Sequence, residues 1–244
     1  MLKNKIAIVT GSSRGFGAAI AEELTHNGIK TVITYFDGDD KEKKNAYELS
    51  TKLSSDLVVP LDVRSRGSVK TLFSKVSKFY NGIDILVNNA GINIEGDFDQ
   101  ISDDDWQAVI DVDLKGVFIC SQEINKYINE NGRIINIGSV SGQYGGPRTP
   151  SYAVAKAGVI SLTHGFARYF GKRNITVNCV SPGPIKSEML SRMPDKLLSN
   201  VLDMTLLNRL GMVGEVSKTV SFLCQPGSGY ITGQNIAVNG GVWV

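Results

Sequence analysis

The chain has 244 residues, of which 42% are hydrophobic and 20% charged, a composition that suits a folded α/β protein. Its 26 basic and 24 acidic residues give a net charge of +2, which is too small to indicate binding to nucleic acid or to an anionic membrane. No apolar run approaches the ~20 residues of a transmembrane helix, and the first apolar segment is too short for a signal peptide.

Strands and helices alternate along the chain. A first strand at 5–10 runs into a glycine-rich loop, and apolar residues at helical spacing then continue to Gly28. Further strands are predicted at 31–35, 57–63, 83–87, 134–138, 175–180 and 236–239, and further helices at 39–53, around 69–76 and at 102–129, 152–169 and 215–223. Because strands separated by helices pair in parallel, we predict one domain over 1–244. Its expected fold is a doubly wound, Rossmann-type α/β fold, a seven-stranded parallel sheet with helices on both faces.

The cysteines and histidines indicate no metal centre. Cys120, Cys179 and Cys224 are widely spaced in apolar surroundings, which favours buried free thiols in a reducing cytoplasm. With only His26 and His164 available, no zinc ligand set is expected. We therefore expect a cytoplasmic protein without a metal site.

The glycine loop Gly11-x3-Gly15-x-Gly17 follows the first strand, where a dinucleotide pyrophosphate can approach the backbone at a helix N-terminus. A carboxylate at the end of the second strand would bind the 2′-hydroxyl of NAD, but Tyr35 occupies that place. Arg14 is instead placed to meet a 2′-phosphate, which its planar guanidinium suits. These residues favour NADP(H), with NAD(H) as the alternative if Asp37 faces the ribose.

Ser139, Tyr152 and Lys156 are the candidates for chemistry. Ser139 follows a strand end, and Tyr152 and Lys156 lie one helical turn apart on a shared face, so the three polar groups could converge on one reacting oxygen. The alternative is a packed tyrosine beside a solvated lysine.

The ordered set of motifs resembles the classical short-chain dehydrogenase/reductase family over nearly the whole chain. The matching residues are Thr10-Gly11-x3-Gly15-x-Gly17, Asn88-Asn89-Ala90-Gly91, Ser139, Tyr152-x3-Lys156 and Pro182-Gly183. The resemblance implies hydride transfer between a nicotinamide and a carbonyl or alcohol carbon. Tyr152 would be the acid or base, Ser139 would polarise the oxygen, and Lys156 would bind the nicotinamide ribose and favour a tyrosinate. A cation at ~4 Å in an effective dielectric near 20 contributes about 4 kcal/mol to such an effect before desolvation. Further cofactor contacts are implied for Ser13, Phe16, Asp62, Val63, Asn89, Ala90, Gly91, Pro182, Gly183, Ile185 and Ser187.

Asp113 is the main departure from the family pattern, because relatives usually carry an asparagine that binds a water in a proton relay to the lysine. An aspartate can accept from such a water, but its charge would stabilise the ammonium and partly cancel its field at Tyr152. We expect Asp113 to be a relay residue, with a purely structural helix bend as the alternative.

Within the family, the chain looks most like the 3-oxoacyl-acyl-carrier-protein reductases. This likeness implies an acyl-thioester or other small-molecule substrate, a possible acyl carrier protein partner and a homotetramer. Basic residues near the cleft, Arg168, Lys172 and Arg173, are candidates for carrier-protein contacts. The segment 186–210 is the expected substrate lid. Two alternatives stay open: an NAD-dependent dehydrogenase of a small alcohol or polyol, and a non-catalytic dinucleotide-sensing protein.

Overall fold

The computed structural model describes residues 4–146, 148–186, 199 and 201–244. Within these residues a seven-stranded sheet has the order β3-β2-β1-β4-β5-β6-β7, and every neighbouring pair is parallel. The strands are β1 (Ile6–Val9), β2 (Lys30–Tyr35), β3 (Val58–Pro60), β4 (Ile83–Asn88), β5 (Ile128–Ile137), β6 (Thr176–Pro182) and β7 (Asn235–Val238). Strand order reverses between β1 and β4, so a ligand cleft is expected beyond their carboxyl ends.

Helices cover both faces of the sheet. They are α1 (Gly15–His26), α2 (Asp40–Leu53), α3 (Arg66–Tyr80), α4 (Asp103–Ile110), α5 (Gly116–Ile124), α6 (Ser141–Tyr144), α7 (Pro150–Phe170) and α8 (Val213–Cys224). The apolar sides of α1, α2 and α8 pack in one core layer, which includes Leu24 and Val220. Those of α3, α5 and α7 pack in the other layer, which includes Phe73 and Phe170. The predicted Rossmann-type fold is thereby confirmed.

The predicted helix 102–129 is confirmed as far as Ile124, and its last five residues are wrong. Ser102 caps the helix as expected, accepting a hydrogen bond from the Asp105 backbone N–H at 3.1 Å. The helix then widens into a π-helical turn, Asp111–Lys115, continues as α5 and ends at Ile124. Beyond it, Ile128 already pairs with Ile83, so β5 begins six residues before the predicted 134. Residues 128 and 129, which were predicted to end the helix, therefore belong to a strand of the sheet.

No helix in the described part of the chain is long and apolar enough to cross a bilayer. The same residues hold no group of three or more His, Cys, Asp or Glu side chains suited to a metal ion. All three cysteines are described, and each is a buried free thiol, as predicted. Burial raises the pKa of Cys120 and Cys224 to about 12 and that of Cys179 to about 11.

Candidate active site

A cleft of about 390 Å³ opens beyond the carboxyl ends of β1–β4, on the side expected from the strand order. Most residues predicted to contact the cofactor line it, namely Gly11, Ser13, Arg14, Gly15, Phe16, Asp62, Val63, Asn89, Ala90 and Gly91. The lining also contains residues that the sequence reasoning did not assign to the site, namely Phe36, Glu42, Leu61, Arg64, Ile92 and Val112.

The glycine loop is held rigidly against β2. The Thr34 hydroxyl accepts from the Gly11 N–H and donates to the Val9 carbonyl, both at 2.9 Å. Gly17 stands so close to the loop that a Cβ there would lie 2.2 Å from the Gly11 carbonyl oxygen. Gly15 has a φ of +56°, and a Cβ on it would meet only open space. A loop free of side chains before the N-terminus of α1 fits a pyrophosphate.

Tyr35 does not lie where the sequence reasoning expected it. It ends β2, is buried, and its ring centroid lies 6.3 Å from that of Tyr47. Phe36 lines the cleft instead. Because successive side chains of a strand point to opposite sides, the residue after Tyr35 is the one that turns toward the cleft. That alternation is the signal that could have identified Phe36.

Two guanidinium groups, those of Arg14 and Arg64, line the cleft. Arg14 Nε donates to Glu42 at 3.0 Å, and its side chain is largely exposed. Arg64 lies 5.4 Å from the centroid of the Phe36 ring and forms a two-point pair with Asp62 at 2.8 and 2.9 Å. The hydrogen bond from Arg64 holds the pKa of Asp62 below its ordinary value. Exposed guanidinium groups beside the glycine loop suit a 2′-phosphate.

Lys156 contacts both the end of β5, which Ser139 follows, and the ring of Tyr152. Lys156 Nζ donates to the Ile137 carbonyl at 3.0 Å, two residues before Ser139. The same ammonium lies 5.4 Å from the centroid of the Tyr152 ring. Ser139 Oγ accepts from the Ser141 N–H at 3.1 Å, so its own proton is free to be donated elsewhere.

Close packing of α6 on α7 fixes this arrangement. A Cβ on Gly142 would lie 2.6 Å from the backbone carbonyl carbon of Lys156, so no larger residue fits there. The short helix that follows Ser139 is thereby pressed onto the helix that carries Tyr152 and Lys156. The strand end and the helix face are held in a fixed relation.

Asp113 contacts Lys156 directly. Its Oδ2 lies 3.1 Å from Lys156 Nζ, while its Oδ1 accepts from the Ile92 N–H at 2.8 Å. Burial disfavours the ammonium, but the neighbouring Asp113, Tyr152 and Cys179 together outweigh this effect and raise the pKa of Lys156 above its ordinary value. Since Ile92 lines the cleft, these contacts link the cleft to the lysine. The π-helical turn, which the sequence did not reveal, is what carries Asp113 inward.

The remaining predicted cofactor residues follow β6. Pro182 pairs with Val238, and the Gly183 N–H donates to the Val238 carbonyl at 3.0 Å. Ile185 is buried and bridges to Gly211. None of these three lines the cleft described above. Ser187 lies outside the described residues, as does most of the expected lid 186–210.

The basic residues predicted near the cleft lie elsewhere. Arg168 is near the end of α7, and Lys172 and Arg173 follow it, immediately before β6. Within one chain they therefore stand at the amino edge of the sheet, opposite the edge where the cleft opens. Arg173 is also engaged, since it donates to the Asn125 carbonyl at 3.0 Å and to Glu130 at 2.9 Å.

Comparison with known sequences places the chain among reductases. A family model described as Enoyl-(Acyl carrier protein) reductase matches residues 11–243. The 3-oxoacyl-[acyl-carrier-protein] reductase FabG of Staphylococcus epidermidis is 37% identical over 243 residues, covering 99% of this chain and 100% of that protein. The enzyme of the same name from Haemophilus influenzae is 38% identical over 245 residues, covering 100% of both chains.

Solved structures show the same architecture. A blue fluorescent protein from a metagenomic library, in complex with NADPH, matches with a TM-score of 0.93 and 31% sequence identity, covering 100% of this chain and 99% of that one. A short-chain dehydrogenase/reductase from Serratia marcescens matches with a TM-score of 0.89 and 33% identity, covering 99% and 98% of the two chains.

The fold and these relatives define an NAD(P)-dependent oxidoreductase that acts on a carbonyl or hydroxyl carbon. The chain belongs to the short-chain dehydrogenase/reductase family. The alternatives of a polyol dehydrogenase and a non-catalytic dinucleotide sensor are not favoured by these findings.

Proposed function

We propose that the protein reduces the ketone of a 3-oxoacyl thioester, or a similar ketone, with NADPH. The observation that carries the proposal is the convergence of Lys156 on Tyr152 and on the strand end before Ser139. A phenol next to an ammonium, beside a strand end that a serine hydroxyl follows, is suited to protonating and polarising a carbonyl oxygen. The similarity to enzymes named 3-oxoacyl-[acyl-carrier-protein] reductase supports the choice of ketone.

Tyr152 is the proposed acid. Its phenol gives a proton to the carbonyl oxygen during reduction and takes one back in the reverse direction. Ser139, whose Oγ already accepts a backbone hydrogen bond, donates its proton to the same oxygen and polarises the carbonyl. Lys156 favours the tyrosinate through its charge, so the phenol releases its proton more easily.

The proposed cofactor contacts follow the cleft. The glycine loop holds the pyrophosphate, Arg14 meets the 2′-phosphate, and Asp62 and Val63 lie at the adenine. A dinucleotide bound in this way supplies the hydride. Lys156 Nζ donates one proton to the Ile137 carbonyl and lies beside Asp113, and the ammonium keeps a proton for a ribose hydroxyl.

The test of the function is Tyr152→Phe, assayed by NADPH consumption with a 3-oxoacyl thioester of pantetheine. We expect kcat to fall by about 10²–10⁴-fold, since general acid catalysis contributes that much, while the Kd for NADPH changes little. Tyr169→Phe on the same helix is the matched control, because Tyr169 is exposed and far along α7. Equal turnover in Tyr152→Phe and the parent would exclude this mechanism.

The assembly and location proposed for the protein follow its likeness to the family. We propose a homotetramer in the cytoplasm, acting on thioesters carried by an acyl carrier protein. Three buried free thiols are consistent with a reducing compartment. Sedimentation analysis of the purified protein tests the tetramer, and a comparison of KM for carrier-bound and pantetheine thioesters tests the carrier protein.

A further inference from the structure

Glu42 occupies the centre of a hydrogen-bonding site at the rim of the cleft. It is the third residue of α2, whose N-terminus is capped by Asp39. Its Oε1 accepts from Arg14 Nε at 3.0 Å, and its Oε2 accepts from the Ser13 hydroxyl at 3.2 Å and the Phe36 N–H at 3.3 Å. The Glu42 side chain is only 16% exposed, whereas that of Arg14 is 71% exposed. Three donors from the glycine loop and the end of β2 thus converge on one carboxylate.

These donors have the chemistry of an anion site. A guanidinium, a hydroxyl and a backbone N–H are the groups that commonly bind phosphate oxygens. Two of them, from Ser13 and Arg14, belong to the loop that is proposed to meet the 2′-phosphate of NADP(H). In this structure their acceptor is the protein's own carboxylate. A 2′-phosphate that used the same donors would have to share them with Glu42 or take them from it.

We propose that Glu42 is a specificity-determining residue that sets how strongly the site prefers NADP(H) over NAD(H). The inference deepens the proposed function and rests on its assignment of this cleft to the dinucleotide. A 2′-phosphate bound by Ser13 and Arg14 shares these donors with Glu42 or takes them from it, and it places a second anion near the Glu42 carboxylate, which weakens binding. With a 2′-hydroxyl, Glu42 keeps its contacts and can accept a hydrogen bond from that hydroxyl. Glu42 therefore reduces the preference for NADP(H) over NAD(H) that Arg14 would otherwise produce.

The sign of the effect separates this role from a positioning role. If Glu42 only held Arg14 in place for the phosphate, its removal would weaken NADPH binding. If it competes with the phosphate, its removal frees Ser13 and Arg14 and tightens NADPH binding. Glu42→Gln keeps the size of the side chain and removes its charge, so it distinguishes the two roles directly.

The experiment measures Kd for NADPH and for NADH by fluorescence titration of the parent, Glu42→Gln and Glu42→Ala. We expect the ratio of Kd for NADH to Kd for NADPH to rise about tenfold or more in both variants, mainly through tighter NADPH binding, and NADH binding to stay equal or weaken. Glu48→Gln is the matched control, because it removes the same charge from an exposed position on α2 outside the cleft. Its ratio should equal that of the parent.

An unchanged ratio in Glu42→Gln and Glu42→Ala, or weaker NADPH binding in them, overturns the inference. Since no substrate is needed, the outcome is independent of turnover. If the parent binds NADPH but reduces no 3-oxoacyl thioester, the proposed function is refuted. The role of Glu42 is then still decided by the ratios of Kd for NADH to Kd for NADPH in Glu42→Gln and Glu42→Ala. A parent that binds neither dinucleotide overturns both proposals.

Discussion

Lys156 and Asp113 form an ion pair beneath the candidate active site, with Nζ and Oδ2 3.1 Å apart and both side chains almost wholly shielded from solvent. The contact is electrostatic rather than a well-aligned hydrogen bond, because Oδ2 has no hydrogen-bonding partner among the described residues. A buried carboxylate at this distance keeps the lysine charged, but it also reduces the positive field that reaches Tyr152. Asp113 therefore stabilises the charged form of Lys156 but weakens the influence of that charge on the Tyr152 phenol.

The first prediction concerns Asp113→Asn. Asparagine keeps an oxygen for the Ile92 N–H but removes the negative charge beside Lys156. The field at Tyr152 becomes more positive, so the tyrosinate forms more easily. In the alcohol-oxidation direction, where Tyr152 is the proposed base, we expect the rising limb of the pH–kcat profile to move to lower pH.

Asp111→Asn is the matched control for this experiment. Asp111 lies in the same π-helical turn, but its carboxylate pairs with Lys115 at 3.0 Å near the surface. Its substitution should leave the pH–kcat profile unchanged. A profile that moves to higher pH in Asp113→Asn, or does not move, would show that Asp113 does not act through the charge of Lys156.

The parts of the site that the sequence predicted depend on local geometry. Tyr152 and Lys156 share a face because four residues make about one helical turn, and Ser139 follows a strand whose end could be recognised. Gly11 and Gly15 follow the first strand directly. Each of these relations is fixed within a few residues of chain, so a sequence pattern is enough to establish it.

The parts that the sequence missed depend on contacts between distant elements. Asp113 reaches Lys156 only because the helix widens at Asp111–Lys115, and nothing in the sequence marks a π-helical turn there. Glu42 meets Arg14 because the first turn of α2 lies beside the start of α1, a tertiary contact that periodicity does not report. Side chains that reach the cleft only through tertiary packing can therefore be identified only from the structure.

A second prediction concerns the close approach at Gly17. An alanine there would place a methyl group 2.2 Å from the Gly11 carbonyl oxygen and 2.6 Å from Asn89 Nδ2, so the loop must shift. We expect Gly17→Ala to lower the free energy of unfolding by about 1–3 kcal/mol and to weaken dinucleotide binding. Urea denaturation and NADPH titration measure the two effects.

Gly214→Ala provides the comparison for Gly17. Gly214 is exposed in α8, and a Cβ on it would meet nothing within 4 Å. Because alanine is the better helix former, we expect stability to be unchanged or higher by up to about 1 kcal/mol. If both alanine variants behave alike, the close packing of the loop on α1 is not what requires glycine at position 17.

A third prediction concerns the thiols. Burial raises the pKa of Cys120 and Cys224 to about 12, so only roughly one thiol in 10,000 is ionised at pH 8. Cys179, with a pKa of about 11, is also buried. We expect no rapid reaction of the native protein with a disulfide reagent at pH 8 and three reacting thiols after unfolding. A rapidly labelled thiol in the folded protein would contradict this burial.

The last prediction separates a structural role of Arg173 from a role in binding a carrier protein. Its guanidinium donates to the carbonyls of Asn125 and Ile128, where the helix has ended and β5 begins, and to Glu130. Arg173→Ala leaves the partly buried carbonyls of Asn125 and Ile128 without their partner, so we expect the free energy of unfolding to fall by about 1–3 kcal/mol. Lys172→Ala, at an exposed neighbouring position, should leave stability unchanged. If KM for carrier-bound thioesters rises in Lys172→Ala, the result indicates that Lys172 contacts the carrier protein. The same rise in Arg173→Ala would not indicate a contact, because that variant also disturbs the start of β5. Denaturation curves that coincide for Arg173→Ala and the parent would rule out the structural role.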